Sequence, residues 1–346
     1  MSSVEPSAGQ TTVQPTTVAD LLARSPLPAI DTRALLCHAL GWRRTQLITR
    51  SDALLASAQI VACQALIARR LAGEPVAQLV GAREFFGRDF IVTPAVLIPR
   101  PDTELLVELA LEAIDAQIAS LAGIPSGRPP SNVPISPLPR RSSARVLDLG
   151  TGSGAIAITL AAERPMIAVL ATDRSAEALH VAQRNAEVLL SGIDGGNATS
   201  SSASHATRCA GQRMRFAQGD WFEALGALRE ESQVSDATSY GDTLRFDVIV
   251  SNPPYIAAHD PHLLSGDLRF EPAGALSDGG DGLNDLRHIA NGASAWLRPG
   301  GQLLLEHGYD QGLAVRQILS AAGFTTIRTM HDLAGHERVT SGVWPV

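Results

Sequence analysis

The sequence predicts an α/β protein, a parallel sheet covered by helices on both faces, preceded by a small all-α domain. Three observations carry this. From Arg145 onward, short apolar runs alternate with longer segments of helical period, the pattern of a parallel sheet with crossover helices. The first of these runs opens directly onto a glycine loop that starts a helix. Before about Ala72 the apolar spacing is helical.

Taken in order, residues 1–16 are polar and Pro/Ser/Thr-rich and read as a disordered lead. Residues 17–80 read as a helical recognition domain. Asp31 is placed to cap a helix with apolar positions Leu35, Leu36, Ala39 and Leu40, which Gly41 ends. A second helix runs from Ala58 to Leu71 and stops before Gly73 and Pro75. Residues 81–98 form a linker containing a β-hairpin that turns near Gly87. Pro99 and Pro101 hold Arg100 extended, and Glu104 opens an amphipathic helix to about Ser120.

The remainder, 99–346, is read as one α/β domain. Strands are expected at Arg145–Leu149, Ile167–Thr172, Met214–Gln218, Phe246–Val250 and Gln302–Glu306, with two more near Thr325–Thr329 and Glu337–Val343. Helices are expected between them, including Ser175–Leu190 and Leu283–Leu297. Three polar or Pro/Ser/Gly-rich segments, near 123–143, 191–211 and 230–242, read as loop insertions.

Composition narrows the function. The 346 residues are 45% hydrophobic and 18% charged, which excludes wholesale disorder. No run of 18 apolar residues exists, so no membrane helix is expected. Net charge is −7, which speaks against a general polyanion binder and against stable nucleic-acid association. Cys37, Cys63 and Cys209 are far apart and odd in number, so neither a disulfide framework nor a zinc site is expected, and the protein reads as cytoplasmic. All 28 basic residues are arginines. Residues 16–100 hold ten of them against six acids, a net of +4 that fits an ordinary solvated surface or, alternatively, a face for an acidic partner; residues 101–346 are net −10.

Two motifs carry chemistry. Val146-Leu147-Asp148-Leu149-Gly150-Thr151-Gly152-Ser153-Gly154 is a buried strand followed by a nucleotide-type loop, in which Gly150 and Gly152 permit a tight turn and close approach of a ligand. Asp173, at the end of the next strand, can accept from a ribose diol. The loop and Asp173 fit either a nicotinamide dinucleotide or S-adenosylmethionine. Asp148, just before the glycines, favours the ligand with an ammonium group over one with a pyrophosphate there.

The second motif is Ser251-Asn252-Pro253-Pro254-Tyr255-Ile256, after a buried strand. The prolines lack N–H groups, so the turn presents carbonyls beside the Asn252 side-chain oxygen. Such acceptors suit an amide or exocyclic amine with two N–H donors, and Tyr255 offers a flat face to stack on it. A dehydrogenase reading leaves this turn unexplained. No metal-ligand spacing is present, and the nine histidines are scattered.

With Pro99-Arg100-Pro101-Asp102-Thr103-Glu104, Gly219-Asp220-Trp221-Phe222 and Asp281-Gly282-Leu283, these motifs make the chain resemble the HemK/PrmC-type release factor N5-glutamine methyltransferases, from about Val18 to Val343. The resemblance implies a seven-stranded Rossmann-like methyltransferase domain using S-adenosyl-L-methionine, with class I release factors as the protein substrate. It implies cofactor contacts at Asp148, Gly150, Thr151, Gly152, Ser153, Gly154, Asp173, Asp220, Trp221 and Asn252. Substrate contacts are implied at Arg100, Glu104, Asn252, Pro253, Pro254 and Tyr255, of which Asn252, Pro253 and Tyr255 form the catalytic turn. A glutamine in a ribosomal protein, or a nucleic-acid amine, remains an alternative acceptor. Oligomeric state is left open.

Overall fold

A computed structural model describes residues 16–121, 143–191, 206–209, 213–226, 228 and 244–346. The chain divides into two compact units, Met1–Val80 and Gly81–Val346. The expected lead and the insertions at 123–143 and 230–242 lie almost wholly outside the described residues.

The first unit holds α1 (Val18–Arg24), α2 (Ala29–Leu40), α3 (Arg44–Thr49), α4 (Ser57–Leu71) and α5 (Val76–Val80). Thr17 caps α1 in a reciprocal arrangement with Asp20. Gly41 ends α2 with a left-handed φ of 65°. Asp31 does not cap α2. The N-cap is Pro28, which places Asp31 within the first turn, where it pairs with Arg70 of α4 at 2.9 Å. An acid in that turn still suits the helix dipole, so the local signal was sound and its partner was tertiary. Val18, Leu35, Leu36, Leu47 and Cys63 form the buried core of this unit.

The second unit opens with a hairpin, β1 (Ala82–Phe85) and β2 (Arg88–Ile91), paired antiparallel. A 3₁₀ turn, Pro101–Thr103, then leads into α6 (Glu104–Leu121). The sheet strands are β3 (Arg145–Leu149), β4 (Ala168–Asp173), β5 (Ala206–Cys209), β6 (Met214–Gln218), β7 (Phe246–Ser251), β8 (Leu297–Glu306), β9 (Thr325–His331) and β10 (Glu337–Val343). Their order is β5-β6-β4-β3-β7-β8-β10-β9. The inner pairs β6·β4, β4·β3, β3·β7 and β7·β8 are parallel, and β10 runs antiparallel between β8 and β9.

All seven expected strands are present. The eighth, β5, lies inside the segment read as a loop insertion and pairs antiparallel with the edge of β6. The expected helix at 283–297 is shorter. After a four-residue turn, α9 (Ala273–Leu276), helix α10 spans Asn284–Ala293, and Leu297 already pairs with Phe246 as the first residue of β8. The remaining helices are α7 (Ala155–Glu163), α8 (Ala176–Leu190, capped by the Ser175 hydroxyl) and α11 (Gly312–Ala321).

The strands alternate between two cores, as parallel strands buried on both faces do. Val146, Val169, Val248, Val250 and Leu304 face α6, α7 and α8. Leu147, Leu149, Ile249, Leu303 and Leu305 face α10 and α11.

Candidate active site

β4, β3 and β7 run parallel and adjacent, so their C-terminal ends open on one crevice. From β3 the chain moves outward through β4 and β6, then returns on the other side through β7 and β8. Open α/β sheets bind ligands where the winding reverses in this way. Leu149 and Ser251 are register partners there, and the Ser251 hydroxyl donates to the Leu149 carbonyl at 2.7 Å. The cleft, about 270 Å³, is lined by Gly150, Gly152, Asp173, Asp220, Trp221, Asn252 and Pro254 among the residues expected from sequence.

The glycine loop is shaped by its left-handed backbone: φ is 71° at Gly150, 56° at Gly152 and 83° at Gly154. A Cβ on Gly154 would stand 2.6 Å from Ile158 Cδ1. Thr151 N–H donates to the Thr172 carbonyl at 2.9 Å, and the Ser153 carbonyl accepts from Asn185 Nδ2 at 2.9 Å. Asn185 also exchanges hydrogen bonds with the backbone of Ile91, tying β2 to α8 beside the loop.

Asp148 is fully buried beneath the loop and does not line the cleft. Its Oδ2 accepts from the Thr151 hydroxyl at 2.7 Å and from Ala157 N–H at 3.2 Å, while its Oδ1 has no hydrogen-bond partner. Burial raises its pKa to about 7, against the lowering effect of those two donors. Asp173 lines the cleft and accepts from Gly152 N–H and Ser175 N–H, both at 2.9 Å. Burial raises its pKa as well. Trp221 sits at φ 46°, a costly conformation for a bulky residue. Its ring lies against Gly150, where a Cβ would be 3.4 Å away.

At the end of β7, Asn252 Nδ2 donates to the Thr103 hydroxyl at 3.2 Å. Among the described residues no donor is bonded to Asn252 Oδ1 or to the carbonyls of Asn252, Pro253 and Pro254. Tyr255 is turned away from the lining, and its hydroxyl donates to Glu306 Oε1 at 3.3 Å. Burial, then the Glu306 charge, raises the Tyr255 pKa. The Tyr255 carbonyl accepts from Gln311 at 3.0 Å and packs so close to Gly282 that a Cβ there would stand 2.4 Å from it. Hence Asp281-Gly282-Leu283 needs its glycine.

Arg100 and Glu104 have partners of their own. Arg100 pairs with the buried Glu271, whose Oε2 also accepts from Ile98 N–H at 2.8 Å. Glu104 accepts from Phe86 N–H at 3.0 Å and so fixes the hairpin turn. Neither lines the cleft. Ala95, Val96 and Leu97, read from sequence as linker, do, as do Arg174, Pro272, Gly274 and Ala275. Arg174 donates to the Gly274 carbonyl at 3.0 Å, bringing the α9 segment to the β4 end. Sequence reading also missed Glu306, buried at the end of β8 with a pKa raised to about 7 by burial. Its one signal was an acid closing an apolar strand.

The PrmC N-terminal domain family matches residues 16–81 and the methyltransferase small domain family residues 129–206. A release factor glutamine methyltransferase of Burkholderia pseudomallei is 51% identical over 331 residues, 96% of this chain and 97% of that protein. Its counterpart in Xylella fastidiosa is 46% identical over 91% of this chain and 93% of its own length. One from Bordetella pertussis is 43% identical over 94% and 99%. At these identities and coverages, the chain belongs to the release factor glutamine methyltransferase family.

Proposed function

We propose that the chain methylates the side-chain amide nitrogen (N5) of the glutamine in the Gly-Gly-Gln motif of class I peptide chain release factors, in the cytoplasm. The observation that carries this reading is the Asn252–Pro254 turn, whose acceptors are unclaimed at the cleft beside the glycine loop. S-adenosylmethionine, the methyl donor, supplies when bound an electrophilic methyl carried on a sulfonium.

The residues present fit that donor. Gly150 and Gly152 bring backbone free of side chains to the cleft, and Asp173 has lone pairs left for a ribose diol after its two backbone bonds. Trp221 and Asp220 border the cleft where a planar base would lie. The orphaned Oδ1 of Asp148 adds negative potential beneath the loop, suited to an ammonium group.

An amide nitrogen is a poor nucleophile because its lone pair is conjugated with the carbonyl. Asn252 Oδ1 and the turn carbonyls accept from both amide N–H groups. They raise electron density on nitrogen, stabilise positive charge developing there, and hold it in line for attack. Recognition of the folded protein substrate is assigned to α1–α5, whose neighbourhood carries the net +4 of residues 16–100.

The test is mass spectrometry of a release factor, and in parallel of ribosomal proteins, after incubation with the chain and S-adenosylmethionine. A one-methyl increase on the Gly-Gly-Gln peptide is expected. Methylation confined to a ribosomal protein overturns the substrate assignment.

A further inference from the structure

We propose that Gln311 is a positioning residue for methyl transfer: its side-chain amide anchors the Tyr255 carbonyl and so holds the acceptors of the Asn252–Pro254 turn toward the cleft. This rests on the assignment of that turn to the substrate amide.

The turn is poorly equipped to hold itself. Pro253 and Pro254 have no N–H to bond across it, and the ladder that fixes β7 ends at Ser251, in register with Leu149 and Leu305. The proline rings fix φ at both positions, which leaves ψ as the soft torsion of each. The directions of the two proline carbonyls are therefore settled only when the chain beyond them is anchored. That anchor is the peptide group between Tyr255 and Ile256, gripped from opposite sides. Its N–H donates to the Leu276 carbonyl at 3.0 Å, and its carbonyl accepts from Gln311 Nε2 at 3.0 Å. At the other end of the turn, Asn252 Nδ2 donates to the Thr103 hydroxyl.

Gln311 is bonded at both ends of its amide. Oε1 accepts from Gly308 N–H at 2.8 Å, and Nε2 gives one N–H to the Tyr255 carbonyl and the other to the Gly282 carbonyl at 3.2 Å. All three partners are backbone groups that either donate or accept, so the amide has a single orientation. The space around it suits only glycine: a Cβ on Gly282 would lie 3.0 Å from Nε2, and one on Gly308 3.1 Å from Oε1.

The mounting is rigid. Gln311 N–H donates to the Gly308 carbonyl at 3.0 Å, and the Gln311 carbonyl accepts from Val315 N–H at 3.0 Å, at the head of α11. Val315 and Leu319 seat that helix in the core. Gly308 follows β8, the parallel neighbour of β7, so the clamp refers the turn back to the sheet that carries it. With its bond to Gln311 made, the Tyr255 carbonyl is withdrawn from the acceptor set, and the carbonyls of Asn252, Pro253 and Pro254 are left for the substrate. A glutamate here has the same shape and keeps the Gly308 bond, but its carboxylate sets an oxygen against two carbonyl oxygens.

The experiment compares full-length wild type, Gln311→Glu and Gln311→Met, each also in an Asn252→Ala background. It measures kcat and KM on a release factor, single-turnover rates, the S-adenosylmethionine Kd by calorimetry, and Tm. Both substitutions are expected to lower kcat about tenfold or more, with KM and cofactor Kd within about twofold, because the acceptor is misaligned and not released. The loss passes through the turn, so Gln311→Met costs at most about threefold more once Asn252 is already alanine. Wild-type kcat in Gln311→Glu, losses of Kd and Tm in step with kcat, or the full tenfold loss in both backgrounds would overturn the proposal while leaving the substrate reading standing. A wild-type chain that binds cofactor but methylates no glutamine overturns both.

Discussion

Asn252 has one hydrogen bond supplied by the fold and an acceptor left open at the cleft. Asn252→Ala is therefore expected to keep cofactor affinity and lose at least ~100-fold in transfer, the scale seen when an oriented polar contact to a reacting group is removed. Single-turnover methylation beside calorimetric cofactor binding checks this; unchanged turnover refutes the acceptor role. Arg100→Ala acts differently. It strips the counter-charge from Glu271, whose carboxylate is buried and also holds Ile98 N–H. The expected result is a lower Tm and weaker cofactor binding through displacement of Ala95–Leu97 at the cleft, since removing one partner of a buried pair is costly. Glycines, prolines and Asn252 were readable from sequence because their meaning is local: a φ, a missing N–H, an amide after a strand. Glu271 and Glu306 were not. Glu271 acquires its role from Ile98, 173 positions away in sequence, and Glu306 from Tyr255 on another strand's turn.

The glycine loop and the Asn-Pro-Pro-Tyr turn are each finished by another element. α8 supplies Asn185 to the first, and the segment before α10 supplies Gly282 to the second. Gly154→Ala places a Cβ 2.6 Å from Ile158 Cδ1 at a φ of 83°. A loss of roughly 1–3 kcal/mol is expected, together with weakened cofactor binding, measured by denaturant titration and calorimetry. Gly282→Ala should spare the cofactor and impair transfer, because the clash is with the Tyr255 carbonyl. Strand positions were readable because β3, β4 and β7 are near-continuous apolar runs. Helix edges were less so. Asp31 looks like a cap until Arg70 is seen opposite it, and Ser294–Trp296 continue a helical pattern until β7 claims the Trp296 carbonyl through Phe246 N–H at 2.7 Å.

At the scale of the whole molecule, the fully buried carboxylates of Asp148 and Glu306 tie stability to pH. Asp148 and Glu306 have pKa values raised to about 7. Between their ordinary values and 7 the folded state holds protons that the unfolded chain has released, so stability is greatest on the acid side and is lost as pH rises through 7. Buried His307, whose pKa burial lowers, opposes them. The carboxylates outnumber it, so the cofactor-free chain should show a higher Tm at pH 6 than at pH 8, with a smaller difference in Glu306→Gln. The second unit has its own cores on both faces of the sheet. Deletion of residues 1–80 should accordingly retain cofactor binding and abolish methylation of the folded release factor. A truncated enzyme at full activity would remove the recognition role of α1–α5.

The pairing of Leu149 with Ser251 has a mechanical meaning. The loop proposed for the methyl donor and the turn proposed for the acceptor hang from neighbouring strands, whose spacing in any sheet is about 4.8 Å. The sheet thus serves as a gauge block: the gap that an in-line displacement must cross is machined into the backbone ladder, and only the final fit is left to side chains. Core substitutions that cheapen packing should then show up in Tm long before they show up in kcat.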